Sequence, residues 1–224
     1  MFSITALHGF LGQAKDFDVL NLNIKALDIF RTQPDSLTNW SRRLNSNLAP
    51  NNILMGYSMG GRLALHCLLN DNHKKIKAAI ILAAHPGLEF MHQRIKRYEA
   101  DRRWARRFIH EPWDKLIRDW ETQEILQNSP QIIRDEKNFE RHNLACALSY
   151  FSLSAQDYLV PKINQLDLPI LWLEAQEESA KIRKLRLKNK SSRIYYMPHG
   201  GHRFMMAEPK ATSKLIRKFL ASLE

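Results

Sequence analysis

Short runs of apolar residues recur along the chain and are separated by segments with helical spacing. The runs predict strands at 2–7, 24–30, 52–57, 77–84, 169–174 and 193–197. Apolar residues between them follow the helical period and predict helices at 36–48, 59–70, 89–108, 112–127, 134–154, 179–188 and 209–223. Strands that alternate with helices indicate an α/β protein with a mostly parallel sheet and helices on both faces.

The alternation is interrupted once. Between the strands predicted at 77–84 and 169–174 the sequence has no strand pattern, and it is helical and rich in Arg, Trp and Phe. We expect a single domain, 1–224, that carries a helical cap insertion at about 88–155. Such an insertion would lie over the carboxyl ends of the strands, where open α/β sheets bind their ligands.

The composition is that of a globular protein, with 44% hydrophobic and 25% charged residues. No apolar run approaches the roughly 20 residues that span a membrane, and the N-terminus has the pattern of a strand rather than of a leader. We therefore expect a cytoplasmic protein without a membrane span. Cys67 and Cys146 are far apart and lie among apolar residues, which predicts two buried thiols.

The formal net charge of +11 comes largely from two basic stretches, 94–107 and 181–193. The first also contains Glu99 and Asp101 and has helical spacing, and we interpret the second as the solvated face of a helix. No nucleic-acid-binding motif accompanies the charge, so we expect no nucleic-acid partner. A basic field instead favours a small anionic substrate or an acidic carrier protein.

The segment Gly56-Tyr57-Ser58-Met59-Gly60 matches the pattern G-x-S-x-G. An apolar strand pattern precedes it directly and a helical pattern follows it, which is the context of a nucleophile elbow. In such an elbow a tight turn exposes the serine hydroxyl, and glycines remove side chains that would collide. Ser58 is therefore the candidate reactive residue.

Two further segments supply candidate partners for Ser58. His202 follows the last predicted strand in a Gly-His pair, which favours it as the base over its neighbour His199. The first strand is followed by the turn His8-Gly9-Phe10. We expect the amide of Phe10 in this turn and the amide of Met59, directly after Ser58, to form an oxyanion hole. We expect His8 to brace this turn rather than to act in catalysis.

The acid of a Ser-His-acid triad should follow the strand at 169–174, where no aspartate is present. A glutamate can hold the imidazole tautomer as an aspartate does. Glu178 is the first candidate, Glu177 the second and Glu174 the third.

These features resemble the α/β-hydrolase superfamily, and the region after the fourth strand narrows the resemblance. It contains His85-Pro86-Gly87-Leu88, followed by residues typical of one family, namely Gln93-Arg94, Arg97, Asp101-Arg102, Trp104-Ala105, Arg107-Phe108, Glu111-Pro112 and Asp119-Trp120. With LHGFLG at 7–12 and GYSMGGR at 56–62, the chain is similar to the 2-succinyl-6-hydroxy-2,4-cyclohexadiene-1-carboxylate synthases of menaquinone biosynthesis.

The resemblance implies a cofactor-independent lyase that eliminates pyruvate from 2-succinyl-5-enolpyruvyl-6-hydroxy-3-cyclohexene-1-carboxylate. It implies that Ser58 removes a ring proton, that His202 activates Ser58, and that no metal or cofactor takes part. The residues that match substrate-lining positions of the family are Tyr57, Arg62, Arg97, Trp120 and Arg141. Arginine forks suit a substrate with three carboxylates.

The chain also departs from the family pattern. It has a glutamate in place of the usual aspartate, no glycine-rich segment after the second strand, and a shortened region at 13–50. A carboxylesterase or thioesterase, of which one variety acts on acyl carrier protein esters, is therefore the main alternative, with Ser58 as a nucleophile. A degenerate fold kept only for binding is the second alternative.

Overall fold

The computed structural model describes residues 2–31 and 33–223 and contains one six-stranded sheet. The strands are β1 Ser3–Leu7, β2 Lys25–Leu27, β3 Asn52–Tyr57, β4 Ile76–Leu82, β5 Ile170–Ala175 and β6 Arg193–Met197. Their order is β2-β1-β3-β4-β5-β6, and every neighbouring pair is parallel. The predicted α/β class and parallel sheet are thus confirmed.

The sheet is buried because its central strands are apolar on both faces. All residues of β3 and β5 are buried. Leu54 and Trp172 belong to the apolar cluster on one face, whereas Ile53 and Leu171 belong to the cluster on the other. This alternation follows from the two-residue period of a strand and requires helices on both faces.

Eight helices accompany the sheet in the described residues. They are α1 Leu37–Asn47, α2 Met59–Leu69, α3 Met91–His110, α4 Trp113–Glu121, α5 Arg141–Tyr150, α6 Val160–Ile163, α7 Phe204–Ala207 and α8 Pro209–Ala221. Helices α1 and α2 contribute to the cluster that contains Leu54, and α8 contributes to the opposite one through Ile216 and Phe219. The two faces of the sheet are covered by different helices.

Helices α3, α4 and α5 all lie in the long connection between β4 and β5, and residues 83–169 contain no strand, as the sequence predicts. Aromatic side chains join α3 and α4 to the turn after β1, and the ring centroids of Phe10 and Trp120 are 4.7 Å apart. Trp104 and Phe108 from α3 contact the same Trp120 ring. The insertion therefore packs against the elbow end of the sheet, and its division from the rest at about 88–155 stays a prediction.

Three predicted helices differ from the observed structure. The helix predicted at 179–188 is wrong, because a short 3-10 segment at Gln176–Ile182 is followed by irregular chain up to β6. The helices predicted at 112–127 and 134–154 are shorter, with only α4 and α5 regular. Apolar spacing persists through these segments because irregular chain also buries side chains such as Leu126 and Leu185.

The prediction of two buried thiols is half wrong. Cys67 is buried on α2, but Cys146 is partly exposed on α5, where its Sγ lies 3.4 Å from Nε2 of His142. Its neighbours in sequence are apolar, but the helix turns this position away from the core.

None of the helices in the described part of the chain is long and apolar enough to cross a membrane.

Candidate active site

Ser58 lies between β3 and α2 in a sharp turn. Its φ of 54° and ψ of −114° are rare for a residue with a side chain. A Cβ on Gly60 would lie 2.1 Å from the carbonyl oxygen of Leu7, so only glycine lets α2 approach β1 this closely. The turn and the glycine together present Ser58 at the carboxyl edge of the sheet, as the elbow motif predicts.

Three predicted residues meet in a hydrogen-bonded chain. Oγ of Ser58 lies 2.8 Å from Nε2 of His202, and Nδ1 of His202 lies 2.9 Å from Oε1 of Glu178. The rival residues His199 and Glu177 are both exposed. The structure therefore brings together Ser58, His202 and Glu178, each from the connection that follows a different strand.

The electrostatics of this chain of contacts suit a neutral base. Although burial opposes it, the contacts with His202 and Lys181 lower the pKa of Glu178 to about 2. Burial lowers the pKa of His202, and the Glu178 carboxylate opposes that shift. At neutral pH Glu178 is thus ionised and accepts the Nδ1 hydrogen of His202, which leaves the Nε2 lone pair to accept the hydroxyl hydrogen of Ser58.

The turn after β1 lies beside Ser58. Phe10 and Met59 both line the cleft above the serine. Met59 is the first residue of α2, so its amide has no acceptor within the helix. The ring of His8 is buried, lies 2.8 Å from the carbonyl oxygen of Gly9 and accepts from the amide of Ile29, as expected of a residue that braces the turn.

Most of the predicted substrate-binding residues surround one cleft. It measures about 1090 Å³ including its open mouth, and Ser58 and His202 lie in its wall. Tyr57, Arg62, Arg97 and Trp120 line it, as expected. The buried Tyr57 hydroxyl donates to the carbonyl oxygen of His202, and burial raises the pKa of Tyr57, so the phenol stays protonated.

The two predicted arginines of this cleft are bound differently. Arg62 is 6% exposed and donates to the carbonyl oxygen of Phe151 at 2.5 Å. Within residues 2–31 and 33–223, no carboxylate lies within 4.0 Å of its guanidinium. Burial and the nearby Arg97 charge lower the pKa of Arg62 to about 9, so it remains a cation at neutral pH. Arg97 is half-buried and its Nε donates to Asp101 at 2.8 Å.

Arg141 does not reach the cleft. As the first residue of α5, it donates to the carbonyl oxygens of Phe108 and Glu111 and to the carboxylate of Glu136. Its guanidinium also lies over the Trp113 ring at 5.5 Å. The structure thus shows that Arg141 connects α5 to the end of α3 through hydrogen bonds, which corrects its predicted place at the substrate site.

Seven further polar side chains of the cleft were not predicted, namely Asp16, His85, Glu121, Gln123, Arg134, Lys181 and Arg203. Arg134 pairs with Asp16 at 2.6 Å, and Arg203 pairs with Glu121 at 2.5 Å. Arg203 directly follows His202 and Lys181 is three residues after Glu178, so proximity to the triad was an available signal. Arg134 lies in irregular chain where a helix is predicted, so the sequence pattern gave no direction for its side chain.

Comparisons with known proteins agree with this geometry. Residues 8–215 match the model of the alpha/beta hydrolase family. The 2-succinyl-6-hydroxy-2,4-cyclohexadiene-1-carboxylate synthase of Pectobacterium atrosepticum is 25% identical over 97% of this chain and 93% of its own length. The synthase of that name from Serratia proteamaculans is 30% identical over 75% of this chain and 68% of its own.

Solved structures give the same fold. MenH from S. aureus superposes with a TM-score of 0.83 at 19% identity, over 99% of this chain and 94% of that protein. The enol-lactonase from Burkholderia xenovorans LB400 has a TM-score of 0.73 at 12% identity, over 99% and 92% of the two chains.

Proposed function

Since the chain belongs to the alpha/beta hydrolase family and, within it, to the 2-succinyl-6-hydroxy-2,4-cyclohexadiene-1-carboxylate synthases, we propose that it is the corresponding lyase. It eliminates pyruvate from 2-succinyl-5-enolpyruvyl-6-hydroxy-3-cyclohexene-1-carboxylate. Residues 88–155 act as a cap that closes the cleft over this substrate.

The observation that carries the proposal is the buried cation of Arg62. A guanidinium that is taken out of water without a carboxylate partner is costly, and an anionic ligand removes that cost. Arg97 lines the same wall and adds a second cation. A substrate with several carboxylates matches this wall, whereas a small neutral ester leaves Arg62 unpaired.

The triad supplies the proton transfer. His202 takes the hydroxyl proton of Ser58, and the serine oxygen removes a ring proton of the substrate. The electrons of that C–H bond form a new ring double bond, the ring double bond already present shifts by one position towards the enolpyruvyl substituent, and the C–O bond to that group breaks. The leaving group departs as the enolate of pyruvate and takes up a proton, and His202 gives up the proton that it received from Ser58, so that the imidazole is neutral again. The amides of Phe10 and Met59 stabilise the negative charge that develops on the substrate.

A hydrolase is the second candidate, and the Ser58–His202 contact of 2.8 Å favours it, because the same geometry activates a serine for acyl transfer. In that case Ser58 forms an acyl-enzyme. The exposed basic residues of α3, among them Arg102, Arg103 and Arg106, suit an acidic acyl carrier protein as partner.

The test is a paired assay of the purified protein and its Ser58→Ala variant. One arm supplies the enolpyruvyl substrate and follows pyruvate release above the spontaneous rate. The other supplies short p-nitrophenyl esters. We expect pyruvate release that depends on Ser58, with little ester hydrolysis. Ester turnover without pyruvate would overturn the lyase and lead to acyl carrier protein esters as the next substrates.

A further inference from the structure

Glu178 makes two contacts, and only one of them belongs to the Ser58–His202–Glu178 chain. Its Oε1 lies against His202, while its Oε2 accepts from Nζ of Lys181 at 2.5 Å. The Lys181 side chain is only 10% exposed, so this contact is shielded from solvent. Both carboxylate oxygens of Glu178 are thereby held.

Lys181 is held in turn by a carboxylate deeper in the fold. Its Nζ lies 3.1 Å from Oε1 of Glu174, which is fully buried in β5. Glu174 is fixed by its own bonds, because Oε1 accepts from the amide of Ala175 and Oε2 accepts from Nε1 of Trp172. A rigid strand therefore anchors a lysine whose four-carbon stem is flexible by itself.

The carboxylate of Glu174 also balances the positive charge of Lys181. An unpaired ammonium beside His202 would act against protonation of the imidazole, and Arg203 already acts in that direction. Burial raises the pKa of Glu174 to about 7, and the Lys181 ammonium opposes that rise. Above that pH Glu174 is ionised and offsets the charge of Lys181.

We propose that Glu174 and Lys181 are positioning residues that hold Glu178 in the one rotamer in which it faces His202. A glutamate has one more rotatable bond than an aspartate, and this freedom must be lost before Glu178 can orient the imidazole. The Glu174–Lys181 pair fixes the free oxygen of Glu178 in advance. The inference rests on the triad of the proposed function, but not on the identity of the substrate.

The test measures how fast a small neutral fluorophosphonate labels Ser58, at about pH 8 where Glu174 is ionised. This probe needs an activated serine and no substrate-binding cation, so it separates positioning from recognition of an anion. The variants are Lys181→Met, Glu174→Gln and the double variant, in which neither Lys181 nor Glu174 is left as the unpaired charge of their broken ion pair. Lys184→Met is the matched control, because Lys184 is on the same segment but pairs with the exposed Glu89.

We expect Lys181→Met and the double variant to be labelled at least about 10-fold more slowly, because orientation of the base is lost. Glu174→Gln should show a smaller loss, and Lys184→Met none. The downfield proton NMR signal of the His202 Nδ1 hydrogen should broaden in the two slow variants, a change that loss of packing at a distance would not cause. Thermal unfolding shows that each variant is folded.

A folded double variant that is labelled as fast as the wild type would overturn the inference. A wild type that is not labelled at all would overturn it too, because no activated serine would exist for the pair to support. A wild type that is labelled but releases no pyruvate contradicts the proposed lyase and leaves the role of Glu174 and Lys181 standing.

Discussion

At the scale of single residues, the proposed lyase depends on two cations of the cleft, which should distinguish substrates by charge. Arg62 and Arg97 line the wall beside Ser58, while Arg103, on the same helix as Arg97, is exposed to solvent. These three arginines therefore separate recognition of an anion from a general effect of positive charge.

Arg97→Ala and Arg62→Gln should each raise the KM for the enolpyruvyl substrate by roughly 10-fold or more, because each removes a charged hydrogen-bond donor. Turnover of a neutral p-nitrophenyl ester should change by much less. Steady-state kinetics of both substrates give the comparison, with Arg103→Ala as control. Equal losses on the two substrates would contradict carboxylate recognition.

The titration of His202 sets the acid limb of activity. The proposed mechanism requires the neutral imidazole, and burial lowers the pKa of His202 from its usual value of 6.5. Protonation therefore begins only at a lower pH, and kcat/KM should hold down to below about pH 6.5 before it falls. A fall of kcat/KM that begins well above this pH would show that another group controls the rate.

Removal of the carboxylate should have two effects. Glu178→Gln should lower kcat by about 10²- to 10⁴-fold, because an amide does not fix the productive tautomer of His202. It should also lower the pH at which kcat/KM begins to fall, since Glu178 raises the pKa of His202. Glu177→Gln is the control, because Glu177 is exposed, and a larger loss there would assign the acid to Glu177 instead.

At the scale of elements, the approach of α2 to β1 leaves no room for a side chain at Gly60. A Cβ there would lie 2.1 Å from the carbonyl oxygen of Leu7 and 2.4 Å from that of His8. Gly60→Ala should therefore lower the free energy of unfolding by about 3 kcal/mol or more, and chemical denaturation would measure it. Ala221→Gly at the exposed end of α8 should cost about 1 kcal/mol or less.

Elements that bury a regular stripe or strand were predictable, and those that follow irregular paths were not. The six strands and the helices α1, α2, α3 and α8 are confirmed, and the apolar residues of β3, β4 and β5 are buried as their pattern predicts. Arg141 was misplaced because its guanidinium is held by the carbonyl oxygens of Phe108 and Glu111, 33 and 30 residues away, and no local pattern contains those contacts. The side-chain direction of Arg134 depends on its pairing with Asp16, 118 residues away, and no local pattern contains that contact.

The acid was predictable only as a short list. Glu174, Glu177 and Glu178 all follow or end the same strand, and the strand pattern does not say which of them faces His202. Glu174 is buried beneath the site and contacts Lys181, Glu177 is exposed, and Glu178 makes the contact. The difference arises from the 3-10 turn after β5, which the sequence predicts as an ordinary helix beginning three residues later.

At the scale of the whole molecule, the net charge of +11 should act on the approach of the substrate. Raising the ionic strength from about 0.01 M to 0.15 M shortens the screening length from about 30 to about 8 Å. The apparent KM for the enolpyruvyl substrate should then rise by about threefold or more, whereas the KM for a neutral ester should stay constant. A flat salt response for both would mean that the charge plays no part in capture.

The long connection between β4 and β5 has an evolutionary consequence. Residues 83–169 connect β4 to β5, which are neighbours in the sheet. The pairing of these strands requires only that the two ends of the connection lie close together. The entropy of closing a loop grows slowly with its length, and a doubling costs only about 0.6 kcal/mol. Loop closure therefore sets little limit on the length of the insertion. Its sequence can change most freely away from side chains such as Phe108 and Phe151, which share the buried cluster of Leu54. Ser58, His202 and Glu178 lie outside the insertion, in the connections that follow β3, β6 and β5. New substrate preferences can arise in this lineage by change in one segment, without any need to rebuild the catalytic groups.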